Sequence, residues 1–220
     1  MYKQRMNKSN TDPKAIVRAG YDLVSRAYRG DSLSPGDPAL SQYASWLGEL
    51  AALIPPGARV LDLGCGNGVP AARMLAEAGF AVTGVDLSPV QIERARANVP
   101  EANFICADMA ELAFPPETFA AIVSFYAIIH LPRAEQPGLL TAIAGWLRPS
   151  GYLLATLGAD AWTGTEDDWL GVAGGRMYWS HADAATYARW CAEAGLDVCW
   201  TRFVPEGQGG HTLLLAQRRA

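Results

Sequence analysis

Charge is scarce in this chain: Asp, Glu, Lys and Arg make up only 18% of its 220 residues, and they balance at −4. A polyanionic partner would meet no general attraction, so nucleic acid is not an expected substrate. Histidine and cysteine are scarcer still. His130, His181 and His211 lie far apart, with no HxxxH or Cys/His cluster, and no metal site is expected. Cys65, Cys106, Cys191 and Cys199 form no CxxC pair and lack the density of a disulfide framework, which points to reduced thiols in a cytoplasmic setting. Long apolar runs are also missing. The apolar stretch 153–157 is soon followed by Asp160, so no segment reads as membrane-spanning. Residues 1–10 are polar and basic without an apolar core, so no secretory signal is expected there.

What is present suits a buried core, since half of the residues are hydrophobic. No repeat stands out. Residues 1–220 read as one domain, with an N-terminal helical extension to about residue 55 and a core over 56–220. Helical spacing marks 14–28, through Ile16, Val17, Tyr21, Val24 and Tyr28, and 38–53, through Leu40, Tyr43, Leu47, Leu50 and Leu53. Pro55-Pro56-Gly57 breaks the chain. Short apolar strands then alternate with helices: strands at 59–63, 81–85, 104–107, 121–125 and 152–157, helices at 69–78, 88–98 and 134–147. Residues 158–181 read as a long aromatic loop and 182–194 as a helix. Two last strands, 197–204 and 211–216, flank a turn too short for a crossover helix, so they should pair antiparallel at the sheet edge. The pattern predicts a parallel sheet with helices on both faces.

The strongest motif is Val60-Leu61-Asp62-Leu63-Gly64-Cys65-Gly66-Asn67-Gly68, a strand entering a glycine turn ahead of a helix. Glycines let the backbone turn sharply and let a ligand come close, and the helix start offers free N–H groups. The loop alone also fits a relaxed dinucleotide pattern through Gly66-Asn67-Gly68-Val69-Pro70-Ala71. The acids favour another ligand. Asp62 beside the loop would repel a pyrophosphate and attract an ammonium group. Asp86, ending the second strand, can accept both hydroxyls of an unphosphorylated ribose. Asp108, after the third, can accept from an adenine amino group.

Asp62-Leu63-Gly64-Cys65-Gly66-Asn67-Gly68, Val85-Asp86-Leu87-Ser88 and Ala107-Asp108-Met109 together resemble the class I S-adenosylmethionine-dependent methyltransferases. Leu147-Arg148-Pro149-Ser150-Gly151-Tyr152-Leu153 is similar to that family's approach to strand five, with Ser150 where glycine is commoner. The resemblance covers about residues 15 to 216. It implies a Rossmann-like seven-stranded sheet in a three-layer α-β-α sandwich, mostly parallel with a reversed final strand, under an N-terminal helical lid. It also implies that Gly64, Gly66 and Asp86 touch S-adenosylmethionine, with Asp108 and Met109 at the adenine. Cys65, Asn67, Leu87, Phe125 and Tyr28 complete the expected cofactor contacts.

Ligands of open parallel sheets sit beyond the carboxyl ends of the strands. That rule places Tyr126 and His130 after strand four and Trp162, Trp169, Tyr178 and Trp179 after strand five, with Tyr21 on the first helix. These aromatics can line a pocket for a flat acceptor or simply pack the core. His130 is the expected general base. His211 and Glu206 are weaker candidates, and His181 should border the following helix. The expected activity is O- or N-methylation of a small cyclic or aromatic metabolite by a monomer or homodimer. RNA or protein methylation, an NAD-dependent oxidoreductase and a non-catalytic S-adenosylmethionine-binding module are the rivals.

Overall fold

The computed structural model describes residues 12–32 and 38–220. Residues 1–10, from which the secretory signal was judged absent, lie outside that range. Seven strands form the main sheet: β1 (Arg59–Leu63), β2 (Ala81–Asp86), β3 (Asn103–Cys106), β4 (Phe119–Ser124), β5 (Leu147–Gly158), β8 (Leu196–Glu206) and β9 (Gly209–Arg218). Their order is β3-β2-β1-β4-β5-β9-β8. All are parallel except β9, which runs antiparallel to both β5 and β8. The reversed closing hairpin is therefore present.

Side-chain alternation splits the core between two faces. Val60, Val82, Val123 and Leu213 face α2 (Pro38–Ala51), α3 (Ala71–Glu77) and α4 (Pro89–Asn98). Leu61, Leu63, Ile122, Leu153 and Leu214 face α5 (Gln136–Trp146) and α6 (Ala184–Glu193). Helix α4 begins as its residues dictate: Ser88 accepts from Gln91 N–H, and Pro89 holds the first helical position, where no N–H is needed. Helix α3 starts two residues later than its pattern suggested, because Pro70 disfavours helical backbone at Val69. Strand β5 starts earlier than expected, with Ser150 in left-handed backbone at φ +62°.

Two features depart from the expected pattern, a hairpin within 158–181 and the place of α2, whereas the first helix lies where a lid was expected. The stretch 158–181 contains a separate antiparallel hairpin, β6 (Trp162–Glu166) with β7 (Met177–His181). Helix α1 (Pro13–Tyr28), capped by Asp12, lies across the carboxyl ends of the strands rather than on a sheet face. It rests on β7 at Gly20, where a Cβ would come within 2.3 Å of the Arg176 carbonyl oxygen. Helix α2 instead joins the core beside α3 through Trp46, Leu47 and Leu50.

Candidate functional site

Three adjoining cavities open at the carboxyl edge beneath α1. The first, about 730 Å³, is lined by the glycine turn, Asp86-Leu87-Ser88 and Ala107-Asp108-Met109. The second, about 370 Å³, holds Asp62, Cys65, Asn67 and Arg29. The third, about 1180 Å³, is walled by Trp169, Trp179, Tyr126, Glu206 and His211. Tyr28 lines all three, and Phe125 lines the first two.

The glycine turn is tied to β2, since Gly64 and Cys65 N–H both donate to the Val85 carbonyl, at 2.7 and 3.0 Å. Gly64 has φ +77°, and a Cβ there would lie 2.0 Å from that of Ala127. No other residue fits that turn without moving the backbone. Asp86 accepts from Gly66 N–H through Oδ2 and from Ser88 N–H through Oδ1, each at 2.9 Å. Burial pushes its carboxyl up to about 6 despite those N–H donors. Asp62 is 1% exposed, and its Oδ2 has no hydrogen-bond partner among the described residues. Burial, then the charge of Asp86, pushes it up to about 7. Such an oxygen is destabilised until a cation or donor reaches it.

Asn67 braces the second cavity by donating to the Gly30 carbonyl and accepting from Val69 N–H. Cys65 is buried there, and burial raises its thiol well above the ordinary range. Asp108 borders the first cavity as expected, yet one oxygen accepts from Ala110 N–H and the other pairs with Lys14 at 2.6 Å. Lys14 also reaches Glu135 at 2.5 Å, so α1 is clasped to the loop after β3.

His130 borders the first and third cavities, as expected, with both ring nitrogens engaged: Nδ1 with the Tyr178 carbonyl at 2.7 Å, Nε2 with the Tyr21 hydroxyl at 2.9 Å. Burial holds its pKa down to about 4. Acting as a base on an acceptor would require His130 to release its Tyr21 contact. His211 does line the third cavity, its Nε2 2.9 Å from Glu206 Oε2 and its ring edge-on to Tyr126 at 5.0 Å. His181 hydrogen-bonds the Asp160 carbonyl and stays outside the cavities.

Of the expected acceptor residues, Tyr21, Tyr126, Trp169 and Trp179 wall the third cavity. Trp162 and Tyr178 do not. Trp162 stands 48% exposed on the hairpin against Trp179 and His181, and Tyr178 contributes its carbonyl to His130. Sequence reasoning missed Lys14, Arg29 and Tyr43. Their only signal was proximity to the helical patterns that carry Tyr21, Tyr28 and Leu47.

A family model of the methyltransferase domain matches residues 60–151, from β1 into β5. The match supports reading this segment as a class I S-adenosylmethionine-dependent methyltransferase domain. The methyltransferase segment is similar to 27-O-demethylrifamycin SV methyltransferase of Amycolatopsis mediterranei (strain S699), 36% identical over 112 residues, 47% of this chain and 40% of that one. It is also similar to 2-methyl-6-phytyl-1,4-hydroquinone methyltransferase of Synechocystis sp. (strain ATCC 27184 / PCC 6803 / Kazusa), 35% identical over 106 residues, 42% and 33% of the two chains. The matches thus span less than half the length of these relatives. Among solved structures, magnesium protoporphyrin IX methyltransferase from Synechocystis PCC 6803 with bound SAM superposes at TM-score 0.72, with 20% identity and coverage of 94% and 98%. The [4+2]-cyclase SpnF superposes at 0.73, with 18% identity and coverage of 94% and 96%. These two likenesses carry the fold of the methyltransferase, not its reaction.

Proposed function

We propose that this protein binds S-adenosylmethionine along the first two cavities and transfers its methyl group to an O or N atom of a small cyclic or aromatic acceptor in the third. The observation that carries this reading is the unpartnered, buried Asp62 Oδ2 beside the glycine turn. A carboxylate there suits an ammonium group and disfavours a pyrophosphate. Asp86 serves the ribose hydroxyls, Leu87 and Met109 flank the adenine, and Arg29, among the residues lining the Asp62 cavity, brings positive charge suited to a carboxylate. The cofactor supplies a sulfonium methyl with a good leaving group. The protein's share is then to align donor and acceptor and exclude water, effects that supply roughly 7–11 kcal/mol.

Helix α1 acts as the lid, fastened by Lys14 to Asp108, by Asp22 to Ser88 and by Ser25 to Gln91. An acceptor that must lose a proton during attack would find the His211–Glu206 pair in the acceptor cavity. The aromatic walls and the negative net charge favour a small molecule over RNA. The four free cysteines support a reducing, cytoplasmic setting, and among the described residues no helix is long and apolar enough to cross a membrane.

Titration calorimetry with S-adenosylhomocysteine and with NAD tests the reading. The thioether nucleoside binds, and Asp62→Asn weakens it about tenfold or more, the loss of one buried charge-assisted contact. Tight uptake of NAD with indifference to the thioether nucleoside would sink it.

A further inference from the structure

Lys14 is the second residue of α1, at the end of the helix whose dipole disfavours a cation. Two carboxylates hold it there: its Nζ lies 2.6 Å from Asp108 Oδ2 and 2.5 Å from Glu135 Oε2. Burial opposes the charge, yet hydrogen bonds to those acids keep its pKa above the ordinary lysine value. Its side chain lines the cofactor cavity together with Ala107, Asp108 and Met109. An ammonium carries three N–H donors, and the two acids take two of them. One donor is left. Asp108 has the converse surplus. Each carboxylate oxygen offers two lone pairs; Oδ1 accepts from Ala110 N–H and Oδ2 from Lys14, so each oxygen keeps one. Among the described residues, a spare donor and a spare acceptor thus stand 2.6 Å apart on one wall of this cavity.

We infer that Lys14 is a specificity-determining residue for the base of the cofactor, donating to a ring nitrogen beside the amino group that Asp108 accepts. The inference rests on the S-adenosylmethionine reading above. The Asp108 contact is the one expected from the sequence; the donor supplied by α1 is additional to it. Adenine carries its amino donor next to ring nitrogens that only accept. An acceptor and a donor side by side are the complement of that edge, and neither member of the Lys14–Asp108 pair supplies it alone. The donor is charged, which makes its hydrogen bond to a ring nitrogen stronger than a neutral one. Because Lys14 rides on α1, the base is fully read only when that helix is seated. Recognition of the base and closure of the lid then share one side chain.

The test needs no known acceptor. S-adenosylhomocysteine and its analogues with carbon in place of ring N1 or of ring N7 are titrated by calorimetry into the wild type and Lys14→Met. In the wild type, one of the two replacements weakens binding about tenfold, the loss of one charge-assisted hydrogen bond. In Lys14→Met the same analogue binds within about twofold of S-adenosylhomocysteine, because the donor that distinguished them has gone. A clasp that only holds α1 in place weakens all three ligands by one factor and leaves their ratios as in the wild type. That result overturns the inference. So does a wild type that binds all three equally, and this outcome is read without a variant, so it decides even where Lys14→Met fails to fold. If the wild type takes up none of the three, the cofactor reading itself falls and takes this inference with it.

Discussion

Asp62 is a carboxylate whose surroundings suit it only when a cation is present. Its pKa of about 7 means that it is largely protonated at pH 6 and ionised at pH 8. A cationic ligand requires the ionised form. Binding below pH 7 therefore releases a proton, and affinity rises with pH across roughly 6 to 7.5 before levelling off. Asp86, at about 6, adds to the lower part of that rise. Calorimetry in buffers of different ionisation heat should detect the released proton at pH 6.5 and lose most of it in Asp62→Asn. A pH-independent affinity for S-adenosylhomocysteine would contradict the assignment. The same substitution should raise thermal stability, because it replaces an unsatisfied buried charge by a neutral amide. Gly64→Ala pushes the other way. Left-handed backbone costs a non-glycine residue about 1–2 kcal/mol, and the contact with Ala127 adds to it. A lower melting temperature together with loss of nucleoside binding is expected.

The elements differ in how legible they were. Strands β1 and β2 and helix α4 follow from neighbours in sequence: apolar runs, a glycine turn, a Ser-Pro helix start. Asp62, Asp86 and the glycines were readable for the same reason. The β6–β7 hairpin was not, because every residue of Trp162–Glu166 is exposed or half-buried and so carries no alternating apolar face. It exists through pairing with β7 and through α1 pressing on Met177 and Arg176 at Gly20. The role of His130 was hidden more deeply. One partner, Tyr21, is 109 residues away, and the other is a backbone carbonyl that no side-chain pattern announces. Gly20→Val tests what α1 does. The added side chain meets backbone at 2.3 Å and cannot be accommodated by a rotamer change, so α1 must lift from β7. Hydrogen exchange should show α1 losing protection while β1, β4 and β5 keep theirs, and S-adenosylhomocysteine should dissociate about tenfold faster. Unchanged dissociation with an unprotected α1 would remove the lid from the account of binding.

At the scale of the whole molecule, the sheet brings the ends of β1, β2, β3 and β4 to one edge, and α1 with the β6–β7 hairpin encloses that edge. A [4+2]-cyclase has the same architecture at TM-score 0.73, so the sheet by itself does not choose a reaction. The choice lies in the third cavity, whose walls come from α1, α2, the β6–β7 hairpin and the β8–β9 corner rather than from the methyltransferase segment alone. Trp169 separates the two functions cleanly because it lines the acceptor cavity and neither of the others. It is presented there by a turn in which both neighbours, Asp168 and Leu170, are held in left-handed backbone at φ +54° and +57°, conformations that persist only where surrounding structure enforces them. Its ring meets Tyr28, Tyr21 and Trp179 at centroid distances of 5.5 to 5.6 Å. A planar probe such as 2-naphthol should quench tryptophan emission in the S-adenosylhomocysteine complex. Trp169→Leu should weaken that probe about tenfold, the loss of one aromatic contact, without changing nucleoside affinity. Equal weakening of both ligands would mean that the two cavities are one site, and that the acceptor specificity argued from their separation is wrong.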